Sequence, residues 1–144
     1  MKRHPHLQPL SDDHHTALVL ARRMQRAADE AGSAAELATT WEVARASFNR
    51  ELAPHFRVEE EWLFPPLAAA GEKALVERAL EDHARLRELI GSAPSLEIAS
   101  AFGKRLHGHV RFEERELFPR AEAVLSLPVL EAAGRAALAA RKQR

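Results

Sequence analysis

Long stretches of helix-forming residues, interrupted at only a few points, are the feature that most restricts how this sequence can fold. The stretches are rich in Ala, Leu, Glu and Arg, which favour the α-helix. None of them shows the alternation of apolar and polar residues that is typical of a β-strand. The clear interruptions lie at residues 32–33, 71, 91–94 and 126–128, which contain Gly, Ser and Pro. The pattern therefore predicts an all-α protein.

We expect four long helices and a short additional C-terminal helix. The first begins at Ser11, whose side chain is a good N-cap. Pro54 lies inside the second helix and should kink or break it just before His55, and Pro119 should end the fourth. The predicted ranges after the first helix are 34–69, 72–90, 95 to 117 or 118, and 129–140. Because the connections are short, neighbouring helices should be antiparallel, which predicts an up-down-up-down four-helix bundle.

The composition excludes several classes of function. A length of 144 residues favours one domain over residues 1–144. Lys and Arg together number 21, as do Asp and Glu, so no net charge attracts nucleic acid or an anionic membrane. No apolar run has the length of a signal peptide or a membrane span, which predicts a cytoplasmic protein. Without cysteine, any metal must be held by imidazole and carboxylate groups, which suit iron, manganese or zinc.

An internal repeat gives the strongest indication of function. Residues 55–65 and 109–119 share the pattern H-x-R-x-E-E-x-x-L-F-P without a gap. Each copy lies near the C-terminal end of a long predicted helix. The second and fourth helices of an up-down bundle run in the same direction, so the two copies should lie at a similar depth.

Helix geometry indicates which residues of the repeat point inward. At about 100° per residue, a glutamate four positions after a histidine returns to within about 40° of it. His55 with Glu59, and His109 with Glu113, can therefore present a nitrogen and a carboxylate on one face. The arginine and the second glutamate of each copy should lie on the outer faces.

A single His-x-x-x-Glu pair is more often a solvated ion pair on a helix surface than a metal site. The matched context of the two copies favours the metal site here. Leu63 with Phe64, and Leu117 with Phe118, indicate that both helix ends pack into a core. A carboxylate buried there alone would be strongly destabilising, and a metal ion is one of the few groups that can satisfy it.

Two further histidines extend the set. His14 lies on the apolar face of the first helix, and His83 lies in the third helix with Leu80, Leu86 and Ile90 on the same side. Each long helix then contributes one inward histidine, and each half of the chain contributes two histidines and one glutamate, as a dinuclear centre requires. The candidate ligands are His14, His55, Glu59, His83, His109 and Glu113.

Some alternatives stay open at this point. His15 is next to His14 and competes with it as the ligand of the first helix. Glu116 shares the inward face with His109, but Trp62 stands at its position in the other copy, so a shared ligand role is not expected. The C-terminal helix either caps the bundle or contacts another subunit through its apolar residues, Leu127, Val129, Leu130 and Leu138.

The order and spacing of the candidate residues resemble the hemerythrin-like family, the HHE cation-binding domains. The similarity covers nearly the whole chain and runs through Asp13-His14, His55-x-x-x-Glu59, Asp82-His83 and His109-x-x-x-Glu113. The resemblance implies a four-helix bundle and a non-haem centre of two Fe ions with carboxylate and oxo or hydroxo bridges. It also implies that Glu59 and Glu113 each bridge the two ions, with the histidines as terminal ligands.

Two positions depart from the hemerythrins that carry oxygen. Those proteins have a second histidine four residues after the first ligand of the third helix, where this chain has Arg87. They also have an aspartate five residues after the histidine of the fourth helix, whereas this chain has Glu113 at four residues. The departures disfavour oxygen transport and favour the bacterial hemerythrin-like proteins that sense or handle oxygen, nitric oxide, peroxide or iron.

Three functions are compatible with these residues. The first is a di-iron protein that binds or reacts with oxygen, nitric oxide or peroxide at open coordination positions. The second is an iron or zinc protein for sensing, storage or structure, without redox activity. The third is a helical interaction module without a metal. The absence of tyrosine and the low aromatic content give no indication of a pocket for an organic substrate, so an enzyme of that kind is not expected.

Overall fold

The computed structural model of the chain describes residues 2–30 and 32–144, and within these ranges it is helical and contains no strand. The all-α prediction is therefore confirmed. The α-helices are α1 (Gln8–Glu30), α2 (Ala34–Ser47), α3 (Ala53–Val58), α4 (Phe64–Ala69), α5 (Lys73–Ile90), α6 (Leu96–Phe112), α7 (Phe118–Val124) and α8 (Leu127–Lys142). The predicted single domain and up-down-up-down bundle topology stay predictions.

Three π-helical segments join some of these helices into longer ones. They cover Phe48–Leu52, Glu59–Leu63 and Glu113–Leu117. The first two connect α2, α3 and α4 into one continuous helix over 34–69, the range predicted for the second helix. The third connects α6 to α7.

The π-helical segments explain why proline does not end these helices. Each segment ends two residues before a proline, at Pro54, Pro65 and Pro119. A proline has no N–H and its ring collides with the carbonyl four residues earlier in an α-helix. The π-helical turn pairs groups five residues apart instead, as in the bond from the Phe118 N–H to the Glu113 carbonyl. The prediction that Pro119 ends the fourth helix is wrong for this reason, and Pro54 does not break the second.

The start of α1 also differs from the prediction. Ser11 is not an N-cap, because the helix begins at Gln8 and the Ser11 N–H donates to the Leu7 carbonyl at 3.0 Å. The Ser11 hydroxyl donates instead to Glu114 Oε2 at 2.7 Å, across to another helix. Ser95 shows the N-cap geometry expected of serine, since its side chain accepts from the Ile98 N–H at the start of α6.

The apolar core consists of two clusters at different levels of the helices. One contains Met24, Trp41, Phe48, Phe56 and Phe102 among its members. The other contains Leu10, Leu63, Phe64, Leu117 and Phe118, which include the residues predicted to bury the two copies of the repeat. Along α1 and α5 the buried polar residues come between the members of one cluster and those of the other. The fold therefore holds a polar layer between two apolar ones.

Close packing of α1 on α6 defines one side of this layer. A Cβ atom at Gly103 would lie 2.7 Å from the Ala21 carbonyl oxygen, so glycine is required for the approach of the two backbones. On α5, Leu86 and Ile90 are buried as predicted, but Leu80 is 41% exposed and the prediction for it is wrong. The buried residue at this level of α5 is Ala79, and Leu80 lies next to it at the edge of the buried face.

The C-terminal helix α8 is longer than predicted. It packs on α1, on α3 and on the π-helical segment Glu59–Leu63. Leu130 is buried, whereas Leu127 and Leu138 are exposed. A Cβ atom at Gly134 would collide with the His6 carbonyl, so α8 also lies directly against the segment before α1. Among the described helices, none is both long and apolar enough to cross a membrane.

Candidate metal centre

All six candidate ligands lie in the polar layer, and each is at most 4% exposed. They form two groups in which every ligand atom lies within 4.8 Å of the others. The members of the groups are His14, His55, Glu59 and Glu113 for one, and His83, His109, Glu59 and Glu113 for the other. The two carboxylates belong to both groups, so the two groups overlap at these glutamates.

The histidines direct their Nε2 atoms at the shared carboxylates. The distances are 2.9 Å from His14 to Glu113 Oε1, 3.4 Å from His55 to Glu59 Oε2, 3.2 Å from His83 to Glu59 Oε1, and 3.4 Å from His109 to Glu113 Oε1. Nitrogen and carboxylate oxygen are the donor atoms that iron, manganese and zinc accept from a protein without cysteine.

Many of these inward atoms have no hydrogen-bond partner. They are Nε2 of His55, His83 and His109, both carboxylate oxygens of Glu59, and Oε2 of Glu113. Polar atoms buried without partners strongly destabilise a fold, and their concentration at one place is typical of residues that bind a cation. The residues present therefore fit a metal ion.

The outer nitrogen of each histidine is bound by a different carboxylate. The Nδ1 distances are 2.7 Å from His14 to Glu114 Oε2, 2.9 Å from His55 to Asp13 Oδ2, 2.7 Å from His83 to Glu60 Oε2, and 3.0 Å from His109 to Asp82 Oδ2. Because a carboxylate accepts, each Nδ1 carries the hydrogen and donates it. This arrangement fixes the ring orientation and leaves Nε2 available on the inner side.

Sequence reasoning missed the role of these four carboxylates. Glu60 and Glu114 were expected on the outer faces, and that prediction is wrong, because both are half-buried and bind histidines of neighbouring helices. The expectation assumed an ideal α-helix facing solvent, whereas each of these residues lies in a π-helical turn beside another helix. Their occurrence at the same place in both copies of the repeat was a signal that could have identified them.

The structure also separates the candidates that the sequence left open. His14 is buried in the layer and the adjacent His15 is exposed. Glu116 is exposed and forms an ion pair with Arg78 at 3.7 Å. Neither His15 nor Glu116 is in either group of ligand atoms among the described residues.

Glu59 and Glu113 have a further feature in common. Each is the first residue of a π-helical segment, and each accepts the backbone N–H five residues later, from Phe64 and Phe118 respectively. π-Helical turns inside α-helices occur frequently at functional sites. The wider turn begins at the residue whose carboxylate enters the centre.

The electrostatics of the layer are those of imidazoles and carboxylates that compensate one another. Burial acts to lower the pKa of His109, but the charge of Glu113 and the hydrogen bond to Asp82 raise it to about 10. Burial acts in the same direction on His55, and the charge of Glu59 outweighs it, so this pKa also lies well above its usual value. The pKa of Glu113 lies well below its usual value because the charge of His109 outweighs burial. A bound cation would replace the imidazole protons.

Comparison with known proteins agrees with this geometry. The family model described as the hemerythrin HHE cation binding domain matches residues 6–121. Comparisons with curated proteins and with solved structures gave no match. The match covers all six candidate ligands, and with the buried clusters it indicates a metal cation site. The chain belongs to the family of hemerythrin HHE cation-binding domains.

Proposed function

We propose that this chain is a non-haem di-iron protein that binds or senses oxygen, nitric oxide or peroxide. The ligands in this proposal are the six candidates, with Glu59 and Glu113 shared by the two ions. The observation that carries it is the pair of overlapping donor groups with unpartnered inward atoms. When bound, two iron ions would supply redox activity and open coordination positions for a small molecule. A cytoplasmic location and the lack of nucleic-acid and membrane partners stay predictions.

The protein groups around the donors favour a small ligand over an organic substrate. Phe56 stacks on His83 with the ring centroids 3.8 Å apart, and Phe118 stacks on His14 at 5.3 Å. The apolar rings exclude water from one side of each imidazole and leave little space beside it. A diatomic molecule or peroxide is the size of ligand that such a closed layer can admit.

The surroundings of Arg87 support sensing or handling of the ligand over oxygen transport. Its guanidinium donates to both oxygens of Glu60, at 2.7 and 3.0 Å, and Glu60 binds the outer nitrogen of His83. The position that holds an additional imidazole in the oxygen carriers is thus committed to orienting a histidine. The residue five positions after His109 is Glu114, which binds His14 in the same manner.

The proposal is tested by metal content together with absorption. Protein reconstituted with ferrous ion under anaerobic conditions should hold two ions per chain. After exposure to oxygen it should show near-ultraviolet charge-transfer bands that vanish on reduction, and nitric oxide should change the spectrum of the reduced form. Glu113→Gln should lose at least one ion, and Glu116→Gln, on the same helical stretch but exposed, should retain both.

The outcomes separate the competing functions. Well below one ion per chain would refute a metal protein and favour a helical interaction module. Two ions without oxidation-dependent bands would favour iron or zinc sensing, storage or a structural role. Equal metal content in the Glu113→Gln and Glu116→Gln proteins would refute the ligand assignment.

A further inference from the structure

Each carboxylate that orients a histidine is in turn held by arginine. The contacts join Glu114 to Arg3, Asp13 to Arg141 and Arg144, Glu60 to Arg87, and Asp82 to Arg105. The centre is therefore surrounded by four chains of contacts, each running from an imidazole through a carboxylate to a guanidinium. Hydrogen bonds between such charged groups are stronger than those between neutral ones and fix the geometry of the carboxylate.

The arginines that hold the carboxylates of the His14–His55 half lie outside the helices that bear the ligands. They are found before α1 and at the end of α8. Arg3 lies before α1, donates to the Glu114 side chain and backbone carbonyl, and is also paired with Glu122. Arg144 lies just beyond α8 and donates to Asp13 and to Glu51. The side chains of both arginines are close to nine-tenths buried.

Arg141 completes this half of the centre. It lies in the last turn of α8 and donates to Asp13 Oδ1 at 3.2 Å and to the Pro9 carbonyl at 2.8 Å. It therefore ties the end of α8 to the first turn of α1 and to the aspartate that orients His55. The close approach of Gly134 to the His6 carbonyl shows that α8 packs directly against the segment that precedes α1.

The His83–His109 half is built differently. Arg87 is on α5 and Arg105 is on α6, within two helices that themselves carry the histidines. Their side chains are 41% and 40% exposed, so water competes for them far more than for Arg3 or Arg144. Arg87 and Arg105 also fall inside the residues that match the family, whereas Arg3, Arg141 and Arg144 fall outside.

We propose that Arg3 and the pair Arg141 and Arg144 act as positioning residues for the His14–His55 half alone. The affinity of that half for its ion then depends on the docking of the segment before α1 and of α8. The affinity of the His83–His109 half depends on Arg87 and Arg105. This inference rests on the proposed two-ion site. It implies that the metal affinities of the two positions can change independently of each other.

The test is a titration of the metal-free protein with Zn²⁺, followed by ¹⁵N NMR of the histidine rings. Zinc is diamagnetic, and each histidine reports on the occupation of its own half. Arg3→Gln and the double variant Arg141→Gln/Arg144→Gln should raise the Zn²⁺ concentration for half-occupation of the His14–His55 half by about three- to tenfold. This range lies below the roughly 10–100-fold that is typical when the group touching the histidine itself is lost.

The variants of the other half should show the reverse pattern. Arg87→Gln and Arg105→Gln should raise the Zn²⁺ requirement of the His83–His109 half and change that of the His14–His55 half by less than about twofold. Arg135→Gln, which removes an exposed guanidinium from the same α8 helix, is the control and should change neither. Arg144→Lys should restore part of the loss, because a cation remains beside Asp13.

Equal shifts of both halves in every arginine variant, or no shift in any of them, would overturn the inference. If the parent protein binds two zinc ions and the variants give either of these results, only this inference fails. A parent protein that binds no zinc refutes the two-ion site as well. Circular dichroism identifies any variant that does not fold. Arg3→Gln and Arg141→Gln/Arg144→Gln act on different carboxylates of the same half, so either one that folds decides the question.

Discussion

Metal loading should displace protons from the centre, because the metal-free protein holds its buried carboxylates with protonated imidazoles. The pKa of His109 is raised to about 10 and that of His55 lies well above 6.5. Both rings therefore carry two protons at pH 7.5. An imidazole must lose the Nε2 proton before that atom can bind a metal ion.

The number of protons follows from these groups. His55 and His109 should each release one proton at pH 7.5. The pKa of His14 is also raised, against the effect of burial, by its bonds to Glu113 and Glu114. Glu113 releases none, since its pKa is already well below its usual value. Saturation with two divalent ions should thus release at least about two protons per chain.

Isothermal titration calorimetry with Zn²⁺ measures this number directly, from the observed heat in two buffers with different ionisation enthalpies. His15→Gln removes an exposed imidazole beside His14 and should leave the proton count unchanged. Fewer than one proton released per chain at pH 7.5 would show that the imidazoles of the metal-free protein are not protonated.

The same shift has a consequence for stability. A histidine whose folded pKa is raised contributes stability to the metal-free fold that is fully present below its unfolded pKa of about 6.5. This contribution is lost as the pH rises through about 10, the folded pKa of His109. The metal-free protein should therefore lose stability above neutral pH, while its affinity for metal rises.

Three further predictions concern the packing and the anchoring groups. Gly103→Ala should lower the free energy of unfolding by about 1–3 kcal/mol in urea denaturation, because the added methyl group meets a backbone carbonyl of α1. Gly108→Ala is the control: its added methyl group meets open space, so it should raise the free energy of unfolding by about 0.5–1 kcal/mol. Phe56→Leu removes the ring that stacks on an imidazole of the centre and should destabilise by about 1–2 kcal/mol; an unchanged denaturation midpoint would contradict this. Burial raises the pKa of Asp13 and of Glu60, but hydrogen bonds from their partner histidines outweigh it and lower both pKa values to about 2. The stability that these carboxylates contribute above pH 4–5 should therefore be lost as the pH falls toward 2, which circular dichroism can measure. Constant stability between pH 5 and pH 2 would exclude this contribution.

The clustering of the six candidate residues in the polar layer was predictable because their signal is local and repeated. A histidine and a glutamate four residues apart lie on one helix face whatever the rest of the fold does, and the second copy removed the ambiguity of the first. His14 and His83 followed from the apolar faces on which they lie. His14 could be separated from His15 only when the packing of α1 was known, since one residue decides which ring is buried.

The groups behind the histidines were not predictable to the same degree. Whether Glu60 faces solvent or His83 depends on the distance between two helices, and no pattern within one helix encodes that distance. Arg3 and Arg144 meet their partners across more than 90 residues of sequence. Pro119 misled the prediction of a helix end, because the rule for proline applies to the α-helical turn and the chain uses a π-helical one there.

The π-helical turns also restrict how the length of this protein can vary. A turn that pairs groups five residues apart holds one residue more than the α-helical turn that would replace it. Deleting one residue within 60–62 would let the α-helix close and would keep the residues on both sides on their present faces. Deleting one residue from an α-helical part before residue 63 would instead rotate every following residue by about 100° about the helix axis, and Leu63 and Phe64 would turn away from the apolar cluster that they now fill. Connections such as residues 70–72 can gain or lose a residue at small cost, but the α-helical parts of the two helices that carry the repeat cannot.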